Sequence, residues 1–313
     1  MIRTFVFPGQ GSQAVGMGKE LAGAFATAQH AFEEVDDALN HHLSRLMFEG
    51  PEEDLTLTEN TQPALLAVSM AVTRVLAEDG GIHVGAASRF VAGHSLGEYS
   101  ALVAAGALTL PDAARLVRTR GRAMQDAVPV GEGAMAALLG LDLDDARAVA
   151  EEAAEGEVCT AANDNAPGQV VVSGARTAIE RVLEIAADHG AKRAIMLPVS
   201  APFHCALMAP AADVMAGALA EVEMAAPEVP LIANVRAAEV TEPDEIRELL
   251  VEQVTGTVRW RESVLYMKEK GVEAFVELGT GKVLCGLVRR IDRGLSCVSL
   301  GAPRDIEDFL KTL

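Results

Sequence analysis

Arg89-Phe-Val-Ala-Gly-His-Ser-Leu-Gly97 is the stretch on which the reading of this chain turns. Residues 89–92 read as a short buried strand closed by Gly93, and a helix is expected to start near Gly97. Between them lies Gly93-His94-Ser95-Leu96-Gly97, a G-x-S-x-G turn. In that setting the turn presents the serine to solvent, because the glycines remove side chains that would collide. The following helix N-terminus offers backbone N–H groups to a developing oxyanion. A plain turn is the competing reading, since the five-residue pattern also arises by chance. The strand before it and the helix after it favour a nucleophile elbow, and a strand–turn–helix unit of this kind belongs to an α/β fold.

Working outward, residues 2–7 read as another buried strand, followed by the glycine-rich turn Pro8-Gly9-Gln10-Gly11-Ser12. Helical patterns cover 27–48 with a break near Asn40, then 61–77 with Pro63 in the first turn, then 111–127. This alternation predicts a mainly parallel sheet. The middle of the chain reads differently. Strand 133–139, helix 142–154, strands 157–163 and 169–173 joined through Asp164-Asn-Ala-Pro-Gly168, helix 175–187 and strand 192–197 follow in turn. The order β-α-β-β-α-β is that of a ferredoxin-like unit. Pro129 on one side and Pro198 with Pro202 on the other suit two crossings between domains. The expected organisation is a large domain of residues 1–128 and 199–313 with a small ferredoxin-like domain, 129–198, inserted into it. Beyond 204 the pattern returns to helices (206–220, 243–253, 259–270) and short strands (230–233, 273–277, 297–300).

The 313 residues, half of them apolar, can bury a full core. The longest apolar runs, such as 64–72, fall short of the roughly 18 residues that span a bilayer, and the opening residues lack the pattern of a secretory signal. A cytoplasmic monomer is expected. A net charge of −19 disfavours nucleic acid and anionic lipid as partners. The four cysteines, at 159, 205, 285 and 297, show neither C-x-x-C nor zinc-finger spacing. They are expected to be reduced, with no metal and no bound cofactor.

A serine needs a base, and histidine is the usual one because it titrates near neutrality. Of seven histidines, His30, His41 and His42 lie in acidic helical stretches, His83 in a loop, and His189 at a helix end. His94 adjoins the serine, but neighbours on a sharp turn point apart. His204, in Val199-Ser-Ala-Pro-Phe-His-Cys205, stands where the chain returns from the insertion and is the best placed of the seven. On the 111–127 helix, Arg120 falls within the apolar stripe Ala113, Leu116, Val117, Ala123, Met124 and Ala127. A buried arginine is uncommon unless paired. Its fork meets a carboxylate of the protein, snorkels to the surface, or awaits a carboxylate from elsewhere. Arg115, Arg118 and Arg122 share the opposite face and read as a solvated basic surface.

Taken together, Phe7-Pro-Gly-Gln-Gly-Ser-Gln13, Gly93-His-Ser-Leu-Gly-Glu98, Arg118-Thr-Arg-Gly121, Asn163-Asp-Asn-Ala-Pro-Gly168 and Ala201-Pro-Phe-His204 closely resemble the bacterial malonyl-coenzyme A:acyl carrier protein transacylase family. The resemblance runs in order through essentially the whole chain. It implies an α/β-hydrolase-like large domain around the inserted ferredoxin-like one. It also implies Ser95 as the nucleophile that carries malonyl, His204 as its base, and Arg120 as the partner of the malonyl carboxylate. The N–H groups of Gln10 and Leu96 would form the oxyanion hole, and the main-chain carbonyl of Gln253 would orient the histidine. Malonyl-coenzyme A and holo-acyl carrier protein are the implied partners, in fatty-acid elongation. Many bacterial members have serine where this chain has Phe203, which leaves the acyl specificity open. Because acyl carrier proteins are acidic, Arg118, Arg122, Lys192, Arg193, Lys282, Arg289 and Arg290 are candidates for docking. For each of these, an ordinary solvated charge is the simpler reading.

Two other functions would use parts of the same sequence. An esterase or thioesterase needs the elbow and the histidine but not Arg120. A scaffold that only binds acyl carrier protein needs none of the three.

Overall fold

A computed structural model describes residues 2–312. Ten strands are present among them: β1 Arg3–Phe7, β2 Val91–Gly93, β3 Gly133–Leu139, β4 Cys159–Ala166, β5 Gln169–Ala175, β6 Arg193–Met196, β7 Leu231–Ala233, β8 Ala238–Val240, β9 Ala274–Leu278 and β10 Ser296–Leu300. They form a six-stranded sheet, β10-β9-β1-β2-β7-β8, and a four-stranded sheet, β4-β5-β3-β6. In the first sheet all pairings are parallel except that of β7 with β8. In the second all are antiparallel. The fold is thus mixed α/β with a mainly parallel principal sheet, as the strand–helix alternation predicts.

The inner strands β1, β2, β7 and β9 are buried on both faces, which is why they read as largely apolar runs rather than alternating ones. Successive side chains still go to opposite sides. Phe5, Phe7, Val91 and Leu231 enter one core with the long helix Thr58–Glu78. Val6, Ala92, Ile232 and Phe275 enter another with the helices Trp260–Glu269 and Val283–Ile291. Fully burying one such side chain is worth about 1.5–3 kcal/mol.

Residues 133–196 supply every strand of the second sheet. One face of that sheet is covered by the helices Leu143–Ala154 and Arg176–Ile185. Met135 and Val171, from its other face, join the first core of the large sheet. Backbone bonds also cross the seam: Asp164 N donates to Val258 O at 2.9 Å, and Val258 N to Ala162 O at 2.8 Å.

Several boundaries differ from expectation. The helix expected from 61 begins at Thr58, so Pro63 lies in its second turn. Leu57 O accepts from Asn60 N and Thr61 N, which starts the helix one turn early. β4 runs on to Ala166, leaving only Pro167 and Gly168 for the turn, with Gly168 at φ 66°. The helices Val283–Ile291 and Pro303–Leu310 and the short β8 were not anticipated.

The expectation of four thiols is also corrected. Cys285 and Cys297 form a disulfide, while Cys159 and Cys205 are free and buried. The two bonded cysteines are 12 residues apart, one on the helix Val283–Ile291 and one on β10, which packs against it. A search for C-x-x-C cannot find a pair that tertiary folding brings together. No helix among the described residues is long and apolar enough to cross a membrane.

Candidate active site

The loops that follow β1, β2 and β7 meet because these strands are parallel neighbours, Phe7 beside Gly93 and Ala92 beside Ile232. The loop after β2 is the serine turn. Ser95 has φ 52°, in the left-handed region that a side chain occupies only at a cost of about 1–3 kcal/mol. Surrounding hydrogen bonds hold it there. Ser95 N donates to Asn234 Oδ1 at 2.7 Å, Asn234 Nδ2 donates to Gly93 O at 2.7 Å, and His94 N donates to Phe7 O at 3.0 Å. The two glycines are required by close approach. A Cβ on Gly93 would lie 1.9 Å from the Gly97 carbonyl, and one on Gly97 would lie 2.1 Å from Phe7 O.

His204 lies at the chain's return and is also left-handed, with φ 59°. Its Nε2 is 2.7 Å from Ser95 Oγ, and its Nδ1 is 2.8 Å from the main-chain oxygen of Gln253. A carbonyl can only accept, so Nδ1 carries the proton and Nε2 is left as the acceptor for the serine hydroxyl. Burial, with the Arg120 charge adding to it, pushes the imidazole down to about 3, against the bond to Gln253 O. The ring is therefore neutral at ordinary pH and can take a proton from Ser95.

Arg120 projects from the helix Leu110–Asp126, whose N-terminus is capped by Thr109 Oγ1 accepting from Asp112 N. It is 1% exposed. Gly121 lets this helix approach Thr58–Glu78 closely, since a Cβ there would lie 2.6 Å from Glu59 Cα. The approach carries the guanidinium to Gln62, whose Oε1 accepts from NH1 at 2.8 Å. NH2 donates to Gln253 Oε1 at 2.8 Å and to Ser95 Oγ at 3.1 Å. No protein carboxylate meets Arg120 directly among the described residues, and the side chain does not reach the surface, so neither the internal salt bridge nor snorkelling describes it.

Ser95, His204, Arg120 and Gln253 are thus one hydrogen-bonded cluster. Leu96 is buried at the start of the helix Gly97–Ala104. Gln10 lies in the loop after β1, where its Oε1 accepts from Thr58 Oγ1 at 2.9 Å. No side-chain hydrogen bond joins it to Ser95 among the described residues. The preceding Gly9 passes tightly against the elbow, since a Cβ there would lie 2.5 Å from His94 O. Phe203, the residue where many bacterial members carry serine, is buried in the core beside His204.

Four buried or half-buried polar residues at the site escaped the sequence reading: Gln62, Glu98, Asn165 and Asn234. Asn165 Oδ1 pairs with His94 Nε2 at 2.8 Å, and the His94 ring packs on Trp260 with centroids 5.8 Å apart. His94 therefore points away from Ser95, as expected of adjacent residues on a tight turn. A buried polar residue in an apolar run is the signal that could have flagged Gln62 and Asn234.

The basic face of the arginine helix is less open than expected. Arg118 is largely covered and donates to Asn60 Oδ1 at 2.8 Å, with Glu59 at 3.5 Å. Arg122 pairs with the same Glu59 at 2.7 Å. Arg290 is bonded to the carbonyls of Pro167 and Gly168, and Arg289 to Cys297 O.

The acyl transferase domain pattern matches residues 4–313. Over 310 residues the chain is 48% identical to the malonyl CoA-acyl carrier protein transacylase of Bacillus subtilis (strain 168), covering 99% of this chain and 96% of that protein. The crystal structure of acyl-carrier-protein-S-malonyltransferase from Bartonella henselae is similar with a TM-score of 0.97 and 55% identity, covering 100% of this chain and 99% of that one. A type II PKS acyl-carrier protein in complex with its malonyl-transacylase gives a TM-score of 0.96 and 44% identity, covering 100% of both chains. Since likeness in sequence and in fold runs from one end to the other and takes in the serine elbow, this chain belongs to the acyl transferase family, among the malonyl CoA-acyl carrier protein transacylases.

Proposed function

We propose that this chain transfers malonyl from malonyl-coenzyme A to the phosphopantetheine thiol of acyl carrier protein, through an ester on Ser95, and so supplies fatty-acid elongation. In the first half-reaction Ser95 Oγ attacks the thioester carbonyl and its proton passes to His204 Nε2. The C–S bond then breaks, and the coenzyme A sulfur takes that proton as it leaves. In the second, the carrier thiol gives its proton to His204 and attacks the ester. The C–O bond breaks and Ser95 recovers the proton. The N–H groups of Gln10 and Leu96 are the donors we assign to the oxyanion, and Gln253 O holds the ring in its working tautomer in place of a triad acid.

One observation carries the choice of acyl group. A buried, permanently charged fork stands 3.1 Å from the nucleophile with only neutral partners. A substrate carboxylate arriving beside the serine can take up that charge bidentately. The likeness to the complex of a carrier protein with its malonyl-transacylase supports the acceptor. We read residues 1–128 and 199–313 as an α/β-hydrolase-like catalytic domain and 129–198 as a ferredoxin-like insertion, for which the strand order β4-β5-β3-β6 speaks. We place the reaction in the cytoplasm, carried out by a monomer.

The test is the fate of the acyl group. With radiolabelled malonyl-coenzyme A, the label should move to holo-acyl carrier protein when that protein is added. Release of free malonate at a rate indifferent to carrier protein would mean a thioesterase instead.

A further inference from the structure

Glu98 is the second residue of the helix after the elbow and is 1% exposed, yet it has no cation in direct contact among the described residues. Its Oε2 accepts from Gln253 Nε2 at 2.5 Å, and its Oε1 accepts from Asn234 N at 3.3 Å. Both neighbours are donors. An amide at this place would turn an N–H against one of them, so the geometry calls for two accepting oxygens. Burial raises the carboxyl and the bonds from Gln253 and Asn234, then Arg120, lower it, the balance leaving it at about 8.

The carboxamide of Gln253 is saturated in one sense only. Nε2 donates to Glu98 and, at 2.9 Å, to Ser95 O, and Oε1 accepts from Arg120 NH2. Turned over, it would set NH₂ against a guanidinium and an oxygen against a carboxylate. Gln62 Oε1 takes the other arm of the guanidinium.

We infer that Glu98 is a positioning residue for Arg120, fixing from one residue away the sense of the Gln253 amide, so that the guanidinium is held yet not neutralised. The inference rests on the reading that Arg120 receives the substrate carboxylate. A carboxylate in direct contact with Arg120 would have to be displaced by the substrate, whereas the amide bridge holds the guanidinium and leaves Arg120 Nε without a hydrogen-bond partner among the described residues. Glu98 thereby contributes to the preference for acyl groups that carry a free carboxylate.

The test compares formation of the acyl enzyme from malonyl-coenzyme A and from acetyl-coenzyme A, which has no carboxylate. In Glu98→Gln the malonyl-to-acetyl ratio of kcat/KM should fall about tenfold or more, and in a Gln253→Met background the same substitution should add less than about twofold. Equal loss on both donors would mean that Glu98 is merely structural, and full additivity would mean that it does not act through Gln253. Either result overturns the inference, as does an unchanged ratio. Should Glu98→Gln fail to fold, Gln253→Met alone decides: it keeps the main-chain carbonyl but removes the bridge, so its ratio should fall, and an unchanged ratio overturns the inference. A parent enzyme with no preference for malonyl would instead refute the role given to Arg120.

Discussion

The main-chain oxygen of Gln253 lies 2.8 Å from His204 Nδ1, while the side chain of the same residue lies 2.8 Å from Arg120 NH2. One residue of the helix Pro243–Thr255 therefore touches both the imidazole and the guanidinium. The histidine is oriented by a neutral carbonyl rather than a carboxylate. That choice matters for its protonation, because no negative charge opposes the burial that keeps the imidazole neutral.

The pH dependence follows. With His204 lowered from 6.5 to about 3, its imidazole stays unprotonated through the ordinary histidine range. Formation of the acyl enzyme, followed by stopped flow, should show no acid limb centred near 6.5. A limb there would mean that His204 titrates normally. The sign for stability is the opposite of a salt-bridged histidine. The unfolded chain binds the proton that the folded chain refuses, so folding stability should decline as pH falls from 6.5 toward 3.

Arg120→Ala removes the charge set beside Ser95. Malonyl transfer should weaken by roughly 2–5 kcal/mol if the guanidinium pairs with the substrate carboxylate in a desolvated site. Measured kcat/KM for malonyl- and acetyl-coenzyme A will decide, and unchanged selectivity would remove Arg120 from the acyl pocket.

Two glycines should respond in opposite directions. An Ala at Gly97 would place its Cβ 2.1 Å from Phe7 O, and the elbow or β1 must shift. We expect a loss of about 3 kcal/mol or more in denaturant unfolding. At Gly217, inside the helix Ala209–Ala220, nothing lies within 4 Å of the added atom. That change should stabilise by about 0.5–1 kcal/mol. Equal effects at the two positions would contradict the close approach described at the elbow.

Cysteine chemistry gives an independent check of the C-terminal packing. Denatured without reductant, the protein should titrate two thiols, Cys159 and Cys205, and four after reduction. Four thiols before reduction would mean that Cys285 and Cys297 are not joined.

The sequence made the framework of this site visible, but not its wiring. Ser95 stood out because strand, turn and helix lie within nine consecutive residues. Arg120 stood out because a charge interrupts a periodic apolar stripe. Both are local signals. Gln62 and Asn234 carry only the mark of a polar residue in an apolar run, and the partners of Glu98, Gln62 and Asn234 lie 58 to 155 residues away, a contact that leaves no periodicity. The same reason hid the disulfide, and it misjudged Arg118, which looked solvated until Asn60 and Glu59 folded over it. Helix starts moved by a turn where capping came from a neighbouring carbonyl rather than from the residue types that announce it.

The proposed transfer depends above all on an ester at Ser95. The most direct measurement is the intact mass of the protein after brief exposure to malonyl-coenzyme A, with the site located by peptide mapping. A single malonyl adduct on Ser95, absent from Ser95→Ala, is the result predicted. An adduct on another residue, or undiminished transfer by Ser95→Ala, would contradict it.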